Sequence, residues 1–109
     1  MSLTVNIYYT GQNGSARAFA REMEESGVAA AIRAEEGNER YAYFFPMDDP
    51  ETVLLIDSWR DQAALDAHHA SPAMGRILAL REKYDLRMCV ERYVSDAGIP
   101  AGDERFIRK

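Results

Sequence analysis

Thr52-Val53-Leu54-Leu55-Ile56-Asp57-Ser58-Trp59-Arg60 is the segment from which the architecture follows. Its β-branched and aromatic content makes it a strand. Apolar residues occupy both parities: Leu54 and Ile56 point one way, and Val53, Leu55 and Trp59 the other. The sheet it joins must therefore be covered on both faces, and a single layer of helices covers only one. On its N-terminal side, Met47-Asp48-Asp49-Pro50-Glu51 is a turn, and Arg40 to Phe45 is an aromatic strand halted by Pro46, so the two strands form a hairpin. On its C-terminal side, Asp61 is an N-cap for a helix through Ala63, Ala64, Leu65 and His68. Ser71-Pro72 opens a further helix in the favoured order, cap then proline, with Met74, Ile77, Leu78 and Arg81 at its buried and flanking positions. Asp85 to Val94 is the last strand.

Towards the N-terminus, Thr4 to Thr10 alternates, with Val5, Ile7 and Tyr9 on one face and Asn6, Tyr8 and Thr10 on the other. It reads as the first strand. After the Gly11-Gln12-Asn13-Gly14 turn, Ser15 is expected to cap a helix bearing Ala16, Phe19, Ala20 and Met23 at helical spacing. Ser26-Gly27 ends it, Val28 to Arg33 is a short second helical piece, and Glu35-Glu36-Gly37-Asn38 is a loop. The order is β-α-β-β-α-β with the second helical region split. That is an α+β, ferredoxin-like arrangement: a four-stranded antiparallel sheet with helices on one face. A second copy of the chain, sheet against sheet, is the expected cover for the other face, giving a homodimer.

A chain of 109 residues supports one domain, here residues 1–94, with 95–109 as a tail. Gly98, Pro100 and Gly102 mark that tail as mobile or draped over a partner. The formal net charge is −5, which argues against nucleic acid as a partner because phosphate recruitment needs a positive field. No run approaches the ~18 apolar residues of a membrane span, and no signal-peptide region is evident. Cys89 is the only cysteine, which rules out an intrachain disulfide and a multi-cysteine zinc site and fits the reducing cytoplasm. It reads as a small buried hydrophobe. Met1-Ser2-Leu3 carries no functional signal.

Two runs bear a resemblance. Ala34-Glu35-Glu36-Gly37-Asn38-Glu39-Arg40-Tyr41 is similar to an acidic-x-Gly-x-x-x-Tyr approach to the second strand. Asp57-Ser58-Trp59-Arg60-Asp61-Gln62-Ala63-Ala64-Leu65-Asp66-Ala67-His68, continued by Ser71-Pro72-Ala73-Met74, resembles an acidic-x-Trp-x-Asp-x-x-x-Leu-x-x-His signature. Together, over residues 4 to 94, they resemble the antibiotic biosynthesis monooxygenase family of dimeric α+β barrels. The resemblance implies a cavity in each subunit between sheet and helices, holding a flat aromatic or quinol-like molecule. In some relatives one oxygen of dioxygen is inserted with no metal, flavin or haem, so no cofactor is expected. Others process small carbonyl signalling molecules, and some degrade haem. The sequence departs from the pattern at Asp57, where Glu is commoner, at His69, where an apolar residue is usual, and at Ala73. In the haem-degrading branch a Trp stands at the position of His68 and a His at that of Leu78; without that axial imidazole, haem chemistry is not expected here.

The candidate catalytic residues are His68, Asn6 and Asp57, and the candidate substrate-binding residues are Trp59, Tyr8 and Met74. His68 titrates near neutrality and suits a general base or a hydrogen-bond donor to a substrate oxygen, or else packs at a helix junction. The adjacent His69 lies roughly 100° around the helix; a His-His pair lacks the spacing of three or four that helical metal ligands need, and no metal is expected. Trp59 offers an aromatic wall on which a substrate could stack, or else belongs to the core. Asp57 either orients His68 or accepts a phenol proton, or forms an ion pair with Arg60 or Arg87. Asn6 is poised toward a ligand carbonyl or dioxygen, or is wetted at an edge. Tyr41, Tyr43 and Phe45 read as core or interface, and Met74 and Ile77 as cavity lining or core. No nucleophilic triad, phosphate loop or dinucleotide fingerprint is present. The expected activity is cofactor-independent monooxygenation of a small aromatic, with dioxygen as co-substrate. Proton-transfer processing of a small carbonyl compound in the same pocket and non-catalytic ligand sequestration are the alternatives.

Overall fold

The computed structural model describes residues 2–109, so Met1 lies outside them. Strand β1 (Leu3–Thr10) is followed by helices α1 (Ser15–Glu25) and α2 (Val28–Arg33), strands β2 (Asn38–Phe44) and β3 (Thr52–Trp59), helices α3 (Gln62–His69) and α4 (Pro72–Lys83), and strand β4 (Arg87–Val94). The sheet is antiparallel in the order β2-β3-β1-β4. This is the ferredoxin-like α+β arrangement. A short 3-10 helix, Ala101–Phe106, closes the chain, and every residue of the tail is exposed.

The register fixes which side chains share a face. Val5 stands opposite Asp57 and Ile7 opposite Leu55, whereas Asn6 faces Ile56 and Tyr8 faces Leu54. The first set looks toward the helices. There Phe19 and Met23 of α1 and Ile32 of α2 meet Tyr9, Val53, Leu55 and Trp59, all essentially inaccessible. The rings of Tyr9 and Phe19 lie 4.8 Å apart, tilted by 54°. Each such side chain contributes about 1.5–3 kcal/mol by leaving water. Tyr41, expected in the core or an interface, is buried on this side, its hydroxyl 3.3 Å from that of Tyr43.

Local capping follows the sequence closely at α3 and less so at α1. Asp61 accepts the Ala64 amide at 2.9 Å, and Pro72 opens α4 after Ser71. At α1 the cap is Gly14, with φ of 79°, and Ser15 is the first helical residue. Its Oγ instead accepts the Gln12 amide at 3.0 Å, because only glycine takes that left-handed turn without strain. Leu3 is buried at the start of β1, so the strand begins one residue before the alternation signals it. Cys89 also corrects the reading from sequence: it is exposed, as is all of β4, because β4 is an edge strand that no helix covers.

Gly37 sets the approach of the α2–β2 loop to α3. Its φ is +82°, and a Cβ there would lie 2.5 Å from the Ala64 Cβ. The Arg60 amide ties down its carbonyl at 2.8 Å. Glycine thus lets the loop carrying Glu35 press against the helix that carries His68.

Among the described residues, no helix covers the other sheet face. Leu54, Ile56 and Tyr8 are half-buried there, Phe44 and Tyr93 are exposed, and Asn6 Oδ1 is enclosed without a hydrogen-bond partner. No helix among the described residues is long and apolar enough to cross a membrane.

Candidate active site

A cavity of about 310 Å³ lies between the sheet and the α3–α4 layer. Val5, Ile7 and Leu55 form its floor; Leu65, Met74 and Ile77 descend from the helices; the exposed Met88 and Val90 border it on the β4 side. The size is at the small end of ordinary ligand sites. Into these apolar walls the chain sets an Asp57 carboxyl, the His68 imidazole and the Arg81 guanidinium, with His69 and Arg92 also contributing.

His68 lies in the last turn of α3 and turns inward, only 4% exposed. Its Nδ1 lies 2.7 Å from Glu35 Oε1. Burial holds the imidazole below its ordinary pKa, against the opposing pull of Glu35. The ring is therefore neutral near pH 7. Nδ1–H donates to the Glu35 carboxylate, which leaves Nε2 unprotonated as an acceptor. The imidazole stacks on Trp59 with centroids 4.7 Å apart and planes 25° from parallel.

Asp57 Oδ1 accepts the Trp59 indole N–H at 2.7 Å. Burial pushes its pKa up to about 7; the indole hydrogen bond lowers it, while nearby Glu35 raises it and Arg81 lowers it. The sequence offered Arg60 or Arg87 as its partner. Arg60 instead meets Glu36 and Asp61, and Arg87 meets Asp85. Both arginines lie on exposed surface, whereas Asp57 faces the helices.

The structure brings His68, Asp57 and Met74 to one cavity. Trp59 sits behind the cavity wall: fully buried, it gives a face to His68 rather than to the open space. The indole thus backs the imidazole from behind the wall. Asn6 and Tyr8 are on the far face of the sheet, which corrects their expected place in the site. Side chains alternate along a strand, and the β1 residues that share a face with Asp57 are Val5 and Ile7.

Two contributors were not singled out for the site from sequence. Arg81 follows Met74 and Ile77 at the helical spacing i, i+3, i+7, a legible sign of a shared face. Glu35 stands at the acidic position of the Ala34–Tyr41 run, but no spacing links it to His68, because loop and helix meet only in three dimensions.

Comparison with known proteins bears on this site. Residues 2–80 match the sequence profile described as antibiotic biosynthesis monooxygenase. A Bacillus subtilis protein named "Putative monooxygenase YcnE" is 33% identical over 46 residues, 42% of this chain and 48% of that one, so the match spans about half of the curated relative. Among solved structures, PA3566 from Pseudomonas aeruginosa is 28% identical with a TM-score of 0.75, over 88% of this chain and 95% of its own. SnoaB of Streptomyces nogalater, a cofactor-independent oxygenase, is 16% identical with a TM-score of 0.74, over 91% of this chain and 97% of its own. At that identity the likeness is one of fold.

Proposed function

Because the chain belongs to the antibiotic biosynthesis monooxygenase family, we propose that it is a cofactor-independent monooxygenase acting on a small phenolic or quinol-type arene, with dioxygen as the second substrate. The observation that carries this reading is the buried imidazole of His68, paired at Nδ1 with Glu35 and set in the wall of an apolar cavity.

His68 Nε2 takes the phenol proton, and the imidazolium so formed is held by the Glu35 carboxylate. The phenolate is electron-rich enough to pass an electron to dioxygen, and the apolar walls keep competing water away. The resulting pair joins at a ring carbon bearing hydrogen, forming a C–O bond. Cleavage of the O–O bond then leaves one oxygen as a new carbonyl and releases the other as water. For a phenol the balance is arene C–H and O–H plus dioxygen giving quinone plus water, with four electrons supplied by the substrate. Arg81 and the imidazolium stabilise the anionic stages.

The test is aerobic incubation of metal-free protein with a panel of phenols and hydroquinones under ¹⁸O-labelled dioxygen. Oxygen uptake above the buffer control and one labelled oxygen per product are expected. No uptake above control across the panel overturns the proposal, and equal turnover without oxygen selects proton-transfer chemistry instead.

We also propose that the uncovered sheet face pairs with a second copy. Half-buried Leu54 and Ile56 and the unpartnered Asn6 Oδ1 support this reading, since an apolar sheet face is unfavourable in water. Light scattering at micromolar concentration is expected to give twice the chain mass; a monomer refutes the pairing. The single cysteine, exposed on β4, accords with a reducing compartment, and the cytoplasm is the proposed location.

A further inference from the structure

Among the described residues, the cavity holds a cation with no ion-pair partner. Arg81 donates from Nε to the Tyr9 hydroxyl at 3.1 Å, and its guanidinium carbon lies 5.5 Å from the centre of the Tyr9 ring. Tyr9 is fully buried in the middle of the sheet, between β3 and β4, so this anchor is rigid. No carboxylate among the described residues lies within ion-pair distance of Arg81. Asp57 shares the cavity but is engaged by the Trp59 indole. The terminal nitrogens of the guanidinium are left for whatever occupies the space.

That arrangement is costly unless an acceptor arrives, because a guanidinium among apolar walls has lost part of its hydration. It also opposes the charge of the whole molecule. The chain carries a net −5, yet the cavity lining holds Arg81 and Arg92 against Asp57 alone. A cleft with low-dielectric walls focuses such a local field and gathers anions. The planar guanidinium fork matches a carboxylate, two N–H groups to two oxygens. A phosphate dianion is ordinarily met by several backbone N–H groups at a helix start or nest, and here one fork stands alone.

We infer that the substrate is an arene carrying a carboxylate, gripped by Arg81 with its hydroxyl turned toward His68. This rests on reading the cavity as the substrate site, and it narrows the substrate from phenols in general to hydroxylated aromatic acids.

Binding under argon separates this inference from the oxygenase chemistry. Calorimetric titration of the whole protein with 6-hydroxy-2-naphthoate, its carboxamide and 2-naphthyl phosphate is expected to show the acid binding at least tenfold tighter than either other ligand. In Arg81→Gln the acid and amide are expected to bind within twofold of each other, and Arg81→Lys should fall between. Equal affinity for acid and amide in the unaltered protein, tighter binding of the phosphate, or an undiminished acid preference in both variants overturns the inference. Should Arg81→Gln fail to fold by circular dichroism, the ligand comparison on the unaltered protein and on Arg81→Lys still decides. Acid-selective binding without oxygen uptake would leave the anion site standing and remove the monooxygenase alone.

Discussion

Replacing His68 with Ala is expected to lower kcat/KM for the oxygenation by about 10²- to 10⁴-fold, the usual range for loss of a positioned general base. The imidazole is the group whose protonation state and placement both suit proton removal: neutral by burial, backed by Glu35, and set in the cavity wall. The pH profile provides a second check. A base must be unprotonated, so the rate should rise with pH and reach half its plateau below the ordinary histidine value of about 6.5. Glu35 favours the protonated ring; removing its charge in Glu35→Gln therefore moves that midpoint lower still. The amide oxygen can accept the same Nδ1–H, so the rate should fall by only about tenfold, roughly the value of one charge-assisted hydrogen bond. Steady-state kinetics from pH 5 to 8 decide the matter. An unchanged rate in His68→Ala, or a midpoint that rises in Glu35→Gln, would remove His68 from the reaction.

Asp57→Asn is expected to stabilise the protein in alkaline buffer. The carboxyl is buried in the cavity wall and its pKa is pushed up to about 7, whereas in the unfolded chain it ionises near 3.9. Between those values the folded state holds a proton that the unfolded state has released. Stability attributable to this group therefore falls as pH rises from about 4 to 7. Above that window the buried carboxylate costs up to about 4 kcal/mol, at about 1.4 kcal/mol for each decade of displacement. Asparagine keeps a carbonyl for the Trp59 indole and has nothing to ionise. Urea unfolding should show a gain of about 1–3 kcal/mol at pH 8 that shrinks toward zero near pH 4. The pKa of His68 is shifted the opposite way, so its contribution has the opposite pH slope, but it is present in both proteins and largely cancels in the difference. A variant less stable than the parent at pH 8, or a gain independent of pH, would show that the carboxylate is not penalised by burial. A loss of turnover as large as that of His68→Ala would give Asp57 a part in proton removal beside His68.

Most of the architecture was legible because its causes are local. The Thr52–Trp59 run, with apolar side chains on both parities, placed a strand inside a sheet that needs two covers. Asp61 and Ser71-Pro72 marked the helix starts to the residue, since caps act on the few amides beside them. The cap at α1 was misplaced by one because Gly14 supplies a backbone conformation that no side-chain pattern announces.

The site was legible only in part. His68, Asp57 and Met74 lie in the run whose family resemblance implied a cavity, and all three line one. Sequence by itself determined the strand order in the chain, the helical faces and the presence of an imidazole and a carboxyl close to the β3–α3 junction, because these depend on side-chain periodicity and on residues within one turn. Only the tertiary structure decided that Asn6 and Tyr8 face away, that Trp59 backs the imidazole instead of lining the space, and that Glu35 and Arg81 complete the polar set. The inter-strand register selects which parity of β1 shares a face with Asp57. Glu35 and His68 are 33 residues apart in the chain and meet only because Gly37 allows the loop to lie against α3. Contacts of that range are set by packing of the whole chain and leave no periodic trace in its sequence.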